Sequence, residues 1–275
     1  MSSDITHVEN QNFLWDVQLL RFTTFTKDQS MPESIPGIWR NVFGNDAAVL
    51  NRNPINFTCQ EAKGSNNVTL QWQPGRVDWI LNYFEPEPRF EPDSSFEPEI
   101  SGNDNVIEPM ETLDVFRTRL DPILEKWFEH AAINNVVRIA LGFVFVHPVA
   151  SLVDGYRNLS HFFPKFDFEN ATDFFYQINR RRTSKNVEGM QINRLSRWSV
   201  QSHQNVRLQI RAGMDGALQL ANQVHTGTPS FANRLETDVN SIVIPDVTLS
   251  VSSQKKLIAE LMDSTSEIAD LGDIK

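Results

Sequence analysis

Residues 55–81 read INFTCQEAKGSNNVTLQWQPGRVDWIL and contain the clearest local signal of the fold. Three short runs of alternating apolar and polar residues are separated by two groups of turn residues, Lys63 to Asn67 and then Pro74-Gly75. Alternation at every second position is typical of a strand with one buried face, and Gly, Asn and Pro favour tight turns. This stretch therefore predicts a three-stranded antiparallel meander.

The sequence before the meander predicts one strand and one short helix. Residues 12–26 place large apolar residues at both odd and even positions, which favours a long strand that is buried in part on both faces. Residues 34–43 predict a helix that ends at Gly44, because glycine most readily adopts the left-handed conformation that closes a helix.

A proline-rich acidic insert, residues 84–109, follows the meander. It repeats Phe-Glu-Pro, and ten acidic residues stand against one basic residue between Glu85 and Asp114. Regularly spaced prolines forbid a helix and remove ladder donors, so an extended, mobile loop is expected. Two interpretations stay open: a solvated connector, or a segment whose spaced aromatic residues, Phe90 and Phe96, anchor it on a partner.

The remaining sequence alternates between helices and strands too irregularly for a doubly wound sheet. Helices are predicted at residues 110–130, 149–163 and 252–271, and strands at 135–146, 174–179, 190–200, 206–211 and 235–239. The predicted fold class is α+β, with antiparallel sheets and packed helices in two related halves. The predicted division is an N-terminal part at 1–83, the insert at 84–109 and a C-terminal part at 110–275.

Composition limits the classes of protein that this chain can belong to. The 275 residues are 40% hydrophobic, which is enough for a sizeable core, and the formal charge of −10 argues against a general nucleic-acid coat. A single cysteine cannot form an internal disulfide, the N-terminus has no signal-peptide pattern, and the longest apolar run, 139–146, is too short to span a membrane. A cytoplasmic protein without a membrane partner is predicted.

The sequence lacks the common local motifs of catalytic, metal-binding and nucleotide-binding sites. There is no HExxH, GxSxG, GxxxxGK[ST] or GxGxxG pattern, so no catalytic residue, metal or cofactor is predicted and the chain is not expected to be an enzyme. Cys59 lies in the middle of a strand, which favours a buried, inert thiol. Asp16 and Asp78 are flanked by apolar strand residues, so each is predicted to face outward or to form a structural pair, with Arg21 or Arg76 as partner.

The strongest local charge feature is basic. Residues 174–211 contain eight Lys or Arg residues against one acid, Glu188. Three interpretations stay open: a nucleic-acid surface with interleaved aromatic residues, an interface with a protein, or pairing with the chain's own acidic insert. Strand alternation predicts that Arg194 and Arg197 point to opposite faces. The predicted partner-binding residues are Arg180, Arg181, Arg182, Arg194 and Arg197, together with Phe90 and Phe96.

The order of these elements resembles that of a known family. The relevant segments are VDWILNY at 77–83 at the end of the meander, RIALGF at 138–143 after a Trp- and Phe-rich helix, and LETDV at 235–239 before a long final helix. The chain is similar to a large family of sporadically distributed, uncharacterised bacterial proteins of about this length. The spacing in 138–143 is less compact than the family pattern, and the acidic insert is additional.

The resemblance implies no activity, because the family has none established. The patchy distribution of the family is similar to that of genes in mobile, defence or toxin–antitoxin loci, which is an association and not a physical argument. The predicted function is a non-enzymatic protein-interaction subunit of a bacterial multi-protein system, with antiviral defence as the process that the resemblance suggests. Its partner is expected to be another protein of the same locus. The alternative is a nucleic-acid-binding component that uses the basic strand region, residues 176–211.

Overall fold

The computed structural model describes residues 13–28, 34–53, 56–63, 66–83, 111–131, 133–212 and 218–272. The strands within these ranges are β1 (Asp16–Thr26), β2 (Val49–Asn53), β3 (Asn56–Lys63), β4 (Asn66–Gln73), β5 (Arg76–Tyr83), β6 (Val136–Val149), β7 (Phe175–Thr183), β8 (Gln191–Ala212) and β9 (Leu218–Ser241). The helices are α1 (Ile35–Phe43), α2 (Leu113–His130), α3 (Leu152–Phe162) and α4 (Val251–Leu271).

The nine described strands form one sheet in the order β2-β3-β4-β5-β1-β6-β9-β8-β7. Every neighbouring pair is antiparallel, and β1 pairs with both β5 and β6. The predicted α+β class with antiparallel strands and packed helices is therefore confirmed. Strands from before and after the acidic insert meet at β1 in the same sheet, and the relatedness of the two halves stays a prediction.

The predicted meander is β3, β4 and β5. The pairings of Cys59 with Leu70, Leu70 with Trp79, and Trp79 with Phe22 of β1 continue a single row of buried residues across four strands. Gly75 forms the tight turn between β4 and β5 at a φ of 72°, a conformation that glycine adopts without strain. The alternation seen in the sequence thus corresponds to one buried face of the sheet.

All four helices cover this same face of the sheet. Trp79 contacts Trp127 of α2, with ring centroids 4.8 Å apart, and Phe143 of β6 contacts Phe116 of α2 at 6.1 Å. On the other half of the sheet, Trp198 of β8 packs against α3. The opposite surface of the sheet, named the open face below, has no described helix upon it. None of the helices in the described ranges is long and apolar enough to cross a membrane.

Close packing fixes α3 against β8 and β9. A Cβ atom added to Gly155 would lie 2.6 Å from Cγ1 of Val200, so the helix approaches the sheet at a position that only glycine allows. The buried Asn233 amide of β9 donates to the Gly155 carbonyl oxygen at 2.8 Å. These contacts hold the sheet rigid up to the point where β8 and β9 continue beyond their neighbours.

The strands β7, β8 and β9 differ in extent from their predictions, and β7 continues to Thr183 whereas the prediction ended at residue 179. β8 is one strand where two were predicted, at 190–200 and 206–211, because the polar residues between them break the apolar alternation without breaking the backbone ladder. β9 begins at Leu218, although only 235–239 was predicted, since Gly227 and Pro229 are residues typical of turns. β2 was not predicted, and all five of its residues are exposed, so no apolar pattern marked it.

Candidate functional site

The predicted arginines divide between the two faces of the sheet. Arg194 of β8 contacts Glu267 of α4 on the helix-covered face, whereas Arg197 contacts Glu236 of β9 on the open face. In β7, Arg182 also contacts Glu267, and the neighbouring Arg181 lies on the open face. The prediction that Arg194 and Arg197 point in opposite directions is therefore confirmed, and the basic region contains two separate sites.

On the helix-covered face, arginines of β7 and β8 line a pocket beside the C-terminal end of α4. Its volume is about 260 Å³. The lining residues are Arg180, Arg181, Arg182, Arg194, Glu267, Leu271 and Gly272. We name this cavity the basic pocket. It brings together Arg180, Arg182 and Arg194 from two strands that pair directly in this region, and Arg181, whose guanidinium lies on the open face, borders it from the edge strand β7.

Glu267 bridges two of these arginines at the mouth of the basic pocket. Its Oε1 lies 3.2 Å from Nη1 of Arg194, and its Oε2 lies 3.2 Å from Nη1 of Arg182. Burial by itself would raise the pKa of Glu267, but the two guanidinium groups outweigh it and hold that pKa below its ordinary value. The carboxylate side chain is 44% exposed, so water reaches it as well.

A second glutamate, Glu260, lies deeper under the same arginines. It is buried and accepts hydrogen bonds from the Ser184 hydroxyl at 2.6 Å, the Lys185 backbone N–H at 2.8 Å and the Asn186 backbone N–H at 3.2 Å. Its Oε1 is 3.8 Å from Nη2 of Arg182. Glu260 thus fastens the turn between β7 and β8 to α4, beside an arginine that lines the basic pocket.

On the open face, the arginines join a polar network that follows the strands. Nε of Arg197 donates to Oε1 of Gln177 at 2.7 Å, and Nη1 donates to Glu236 at 3.3 Å. Arg234 donates to the same glutamate at 2.9 Å, and Nε of Arg181 donates to Oδ1 of Asn193 at 3.1 Å. Pairing within the chain is thus observed for Arg182, Arg194 and Arg197, with glutamates of α4 and β9. The acidic insert, with Phe90 and Phe96, lies outside the described residues.

The predicted partner of Asp78 is confirmed, and both proposed arginines contact it. Oδ1 of Asp78 lies 2.9 Å from Nε of Arg21 and 2.6 Å from the Thr23 hydroxyl, and Oδ2 lies 2.7 Å from Nε of Arg76. We name these four residues the Asp78 cluster. Asp16 is half-buried, and burial raises its pKa while His147 lowers it. Asp78 is thus a structural residue.

The sequence did not predict a hairpin arm formed by β8 and β9. Beyond Ser199 of β8 and Phe231 of β9, the two strands pair only with each other among the described strands. We name residues 200–212 and 218–230 the hairpin arm. The signal was available: two alternating runs flank the turn-forming sequence Gly-Met-Asp-Gly at 213–216. The intervening polar residues concealed the continuity of the strands.

A second pocket of about 260 Å³ lies at the base of the hairpin arm. Its lining residues are Asp173, Phe174, Phe175, Arg197, Ser199, Val200, Gln201 and Glu236. Phe175, the first residue of the edge strand β7, is 67% exposed. An aromatic ring beside an arginine at a strand edge is the composition that protein interfaces favour.

The groups considered for chemistry are the Cys59 thiol and clusters of metal-ligating side chains. Cys59 is buried in β3, so the predicted burial is confirmed, and that burial raises its pKa to about 11, which disfavours the reactive thiolate. Within the part of the chain that the structure describes, no group of three or more His, Cys, Asp or Glu residues is arranged to hold a metal ion. The features described above are a basic pocket, a polar open face and the hairpin arm.

No protein-family model matches the chain. No curated protein matches it at a significant level. The resemblance to the family of uncharacterised bacterial proteins therefore stays a prediction.

Proposed function

We propose that this protein is a non-enzymatic interaction subunit that uses the hairpin arm to hold another protein of a bacterial multi-protein system. The observation that supports this most directly is the length of the arm. At about 3.3 Å per residue, its strands of roughly 13 residues each extend about 40 Å beyond the sheet. An isolated two-stranded hairpin is only marginally stable in water, so a surface that covers it would stabilise it.

The register of the hairpin arm indicates which kind of partner fits. In the sequence of β8, the apolar residues Val206, Leu208 and Ile210 alternate with polar residues that include Arg207, and Ile210 pairs with Leu220 of β9 in the ladder. The expected partner therefore offers both apolar surface and acidic groups, which match this mixed composition.

The contact is expected to continue from the hairpin arm onto its base. Phe175 is a large, exposed aromatic residue there, and Arg197 lies in the same pocket. Trp, Tyr and Arg dominate binding hot spots, and Phe is enriched with them at interface cores. Arg181 of the edge strand β7 extends this surface along the open face. Arg181 and Arg197 are the two predicted partner-binding arginines whose guanidinium groups lie on the open face.

Nucleic acid is the second candidate partner, and internal pairing argues against it. Arg182, Arg194 and Arg197 contact glutamates of the chain, so part of the basic charge is already neutralised. A net charge of −10 also opposes the approach of a polyanion. The cytoplasmic location and the role in antiviral defence are proposed from the sequence and the resemblance alone.

Shortening the hairpin arm tests the proposed function. Ser202 pairs with Phe231, so replacing residues 203–230 by Asn-Gly closes the ladder with a two-residue turn and leaves the remaining sheet intact. The full chain and this variant are each used to copurify a partner from the native host, and the partner is then purified and titrated. We expect the shortened variant to lose at least about a hundredfold in affinity and Phe175→Ala about tenfold.

A matched control is Leu50→Ala in β2, an exposed apolar residue at the opposite edge of the sheet, which should leave affinity within about twofold. Equal capture by the full and shortened chains would overturn the role of the arm. Arm-dependent self-association would identify a second copy as its occupant. Nucleic acid retained at physiological salt would favour the second candidate, and substrate turnover by the purified chain would refute the non-enzymatic function.

A further inference from the structure

We propose that the basic pocket binds a phosphoryl group, and that Glu267 occupies the anion position when the ligand is absent. Three arginines of this face, Arg180, Arg182 and Arg194, line the cavity together with Glu267, and the buried Glu260 lies 3.8 Å from Arg182. The formal charges of these five residues leave one positive charge in excess. A phosphate dianion in place of the Glu267 carboxylate would supply two negative charges where one now stands.

Arginine suits this ligand by its geometry. A guanidinium has five N–H donors in a planar fork, which matches the oxygens of phosphate and carboxylate groups. Arg182 directs Nη1 at Glu267 and Nη2 at Ser264, and Arg194 directs Nη1 at Glu267, so a phosphate that displaces Glu267 would take over the donors that now bond its carboxylate. The proposal therefore does not require any of these arginines to be unpaired.

The size of the cavity limits the ligand. Pockets for drug-sized ligands occupy about 300–1,000 Å³, and the basic pocket measures about 260 Å³. It thus suits a phosphoryl group with a small attached body better than a complete dinucleotide. A single oxyanion surrounded by arginine forks fits the dimensions and the charge together.

The two glutamates differ in how easily they can leave the pocket. Glu260 is fixed by the Ser184 hydroxyl and the backbone N–H groups of Lys185 and Asn186, and its side chain is 3% exposed. Glu267 contacts only arginine side chains among its described partners, and its side chain is 44% exposed. An incoming phosphate can therefore displace Glu267 into water while Glu260 keeps its hydrogen bonds.

A purely structural role for the arginines is the competing explanation. The C-terminal end of α4 has a partial negative charge that favours nearby cations, and the contacts of Glu267 hold this helix against β7 and β8. Under that explanation, removing the charge of Glu267 loosens the contact and creates no affinity for an anion. Under our proposal, the same change removes the competitor and strengthens phosphate binding.

Calorimetric titration of the full chain with inorganic phosphate at low ionic strength separates these explanations. We expect saturable binding to the wild type, about three- to tenfold tighter binding to Glu267→Gln, and at least tenfold weaker binding to Arg182→Gln, since a charged hydrogen bond contributes about 1.5–3 kcal/mol. Asp263→Asn is the matched control: it removes one negative charge from the exposed side of the same helix and should leave the affinity within about twofold.

Titrations with O-phosphoserine, AMP and acetate identify the source of the phosphoryl group. Binding of phosphate and a phosphomonoester without acetate supports the proposal, and the tighter of the two phosphomonoesters shows which body the pocket accepts. Absence of saturation below about 10 mM phosphate in both wild type and Glu267→Gln overturns it, as does equal tightening by Asp263→Asn. Because Glu267 is exposed, Glu267→Gln keeps the test valid even if Arg182→Gln fails to fold.

Discussion

Two groups of arginines and carboxylates in this protein use the same chemistry in different surroundings. In the Asp78 cluster, the aspartate side chain is 1% exposed and both of its oxygens are bonded to arginine. At the basic pocket, Glu267 also bridges two arginines but is 44% exposed. Burial of the carboxylate therefore separates an ion pair that belongs to the fold from one that a ligand can replace.

The sheet order explains the difference in burial. Asp78 lies in β5, which has β4 on one side and β1 on the other, so neighbouring residues surround it. Glu267 lies on the last turns of α4, above β8 and the edge strand β7. A carboxylate in the centre of a sheet cannot leave its arginines without unfolding its strand, whereas one at the edge can turn into water.

The largest effect is expected for Asp78→Asn. Loss of this buried charge leaves Arg21 and Arg76 without their shared partner, and breaking a buried ion pair typically lowers the free energy of unfolding by 3–5 kcal/mol. Because both arginines are partly exposed, we expect about 3 kcal/mol by urea denaturation. Asp46→Asn, which breaks an exposed pair with Arg40, should change stability by less than about 0.5 kcal/mol. Equal effects of the two variants would contradict the distinction.

An intermediate effect is expected for Glu260→Gln. The amide can keep one accepting oxygen but places N–H donors against the backbone N–H groups of Lys185 and Asn186. We expect a loss of about 2 kcal/mol in the free energy of unfolding, together with faster amide hydrogen exchange in the turn between β7 and β8. A variant with wild-type exchange in that turn would show that Glu260 does not fasten it.

Part of the fold and of these ion pairs could be predicted from the sequence. The meander, the last helix and the pairing of Asp78 with arginine followed from local alternation and from the need to neutralise a buried charge. The contacts of Arg182 and Arg194 with Glu267 of α4 could not be predicted, because 85 and 73 residues separate the partners and no local pattern links them. The hairpin arm was missed for another reason: its ladder depends on backbone hydrogen bonds, which polar residues form as well as apolar ones.

A small effect on stability is expected for Glu267→Gln. The Glu267 carboxylate is 44% exposed although Arg194 is 10% exposed, and the glutamine amide keeps an oxygen that accepts from arginine, so the free energy of unfolding should fall by about 1 kcal/mol. The measurement is urea denaturation beside Asp78→Asn under the same conditions. A loss as large as that of Asp78→Asn would make Glu267 part of the fold and would leave no room for exchange with a ligand.

The smallest effect concerns pH. The pKa of Glu267 is lower in the folded chain than its ordinary value of 4.5, so the folded state favours the charged carboxylate. Its stabilisation is therefore complete above pH 4.5 and disappears as the pH falls through the lowered folded value. The difference in unfolding free energy between wild type and Glu267→Gln should shrink over that acid range and stay constant from pH 6 to 8. A difference that grows on acidification would reverse the sign of the linkage.

The position of β1 has a consequence for the chain as it is synthesised. Its neighbour β5 completes early, but its other neighbour β6 begins only at Val136. At about 5–20 residues per second, a nascent chain spends several seconds with one edge of β1 unpaired. Unpaired strand edges recruit other strands, so a ribosome that stalls before β6 would release a fragment prone to aggregation. Pairing with β6, which belongs to the second half of the chain, thus removes the exposed edge of β1.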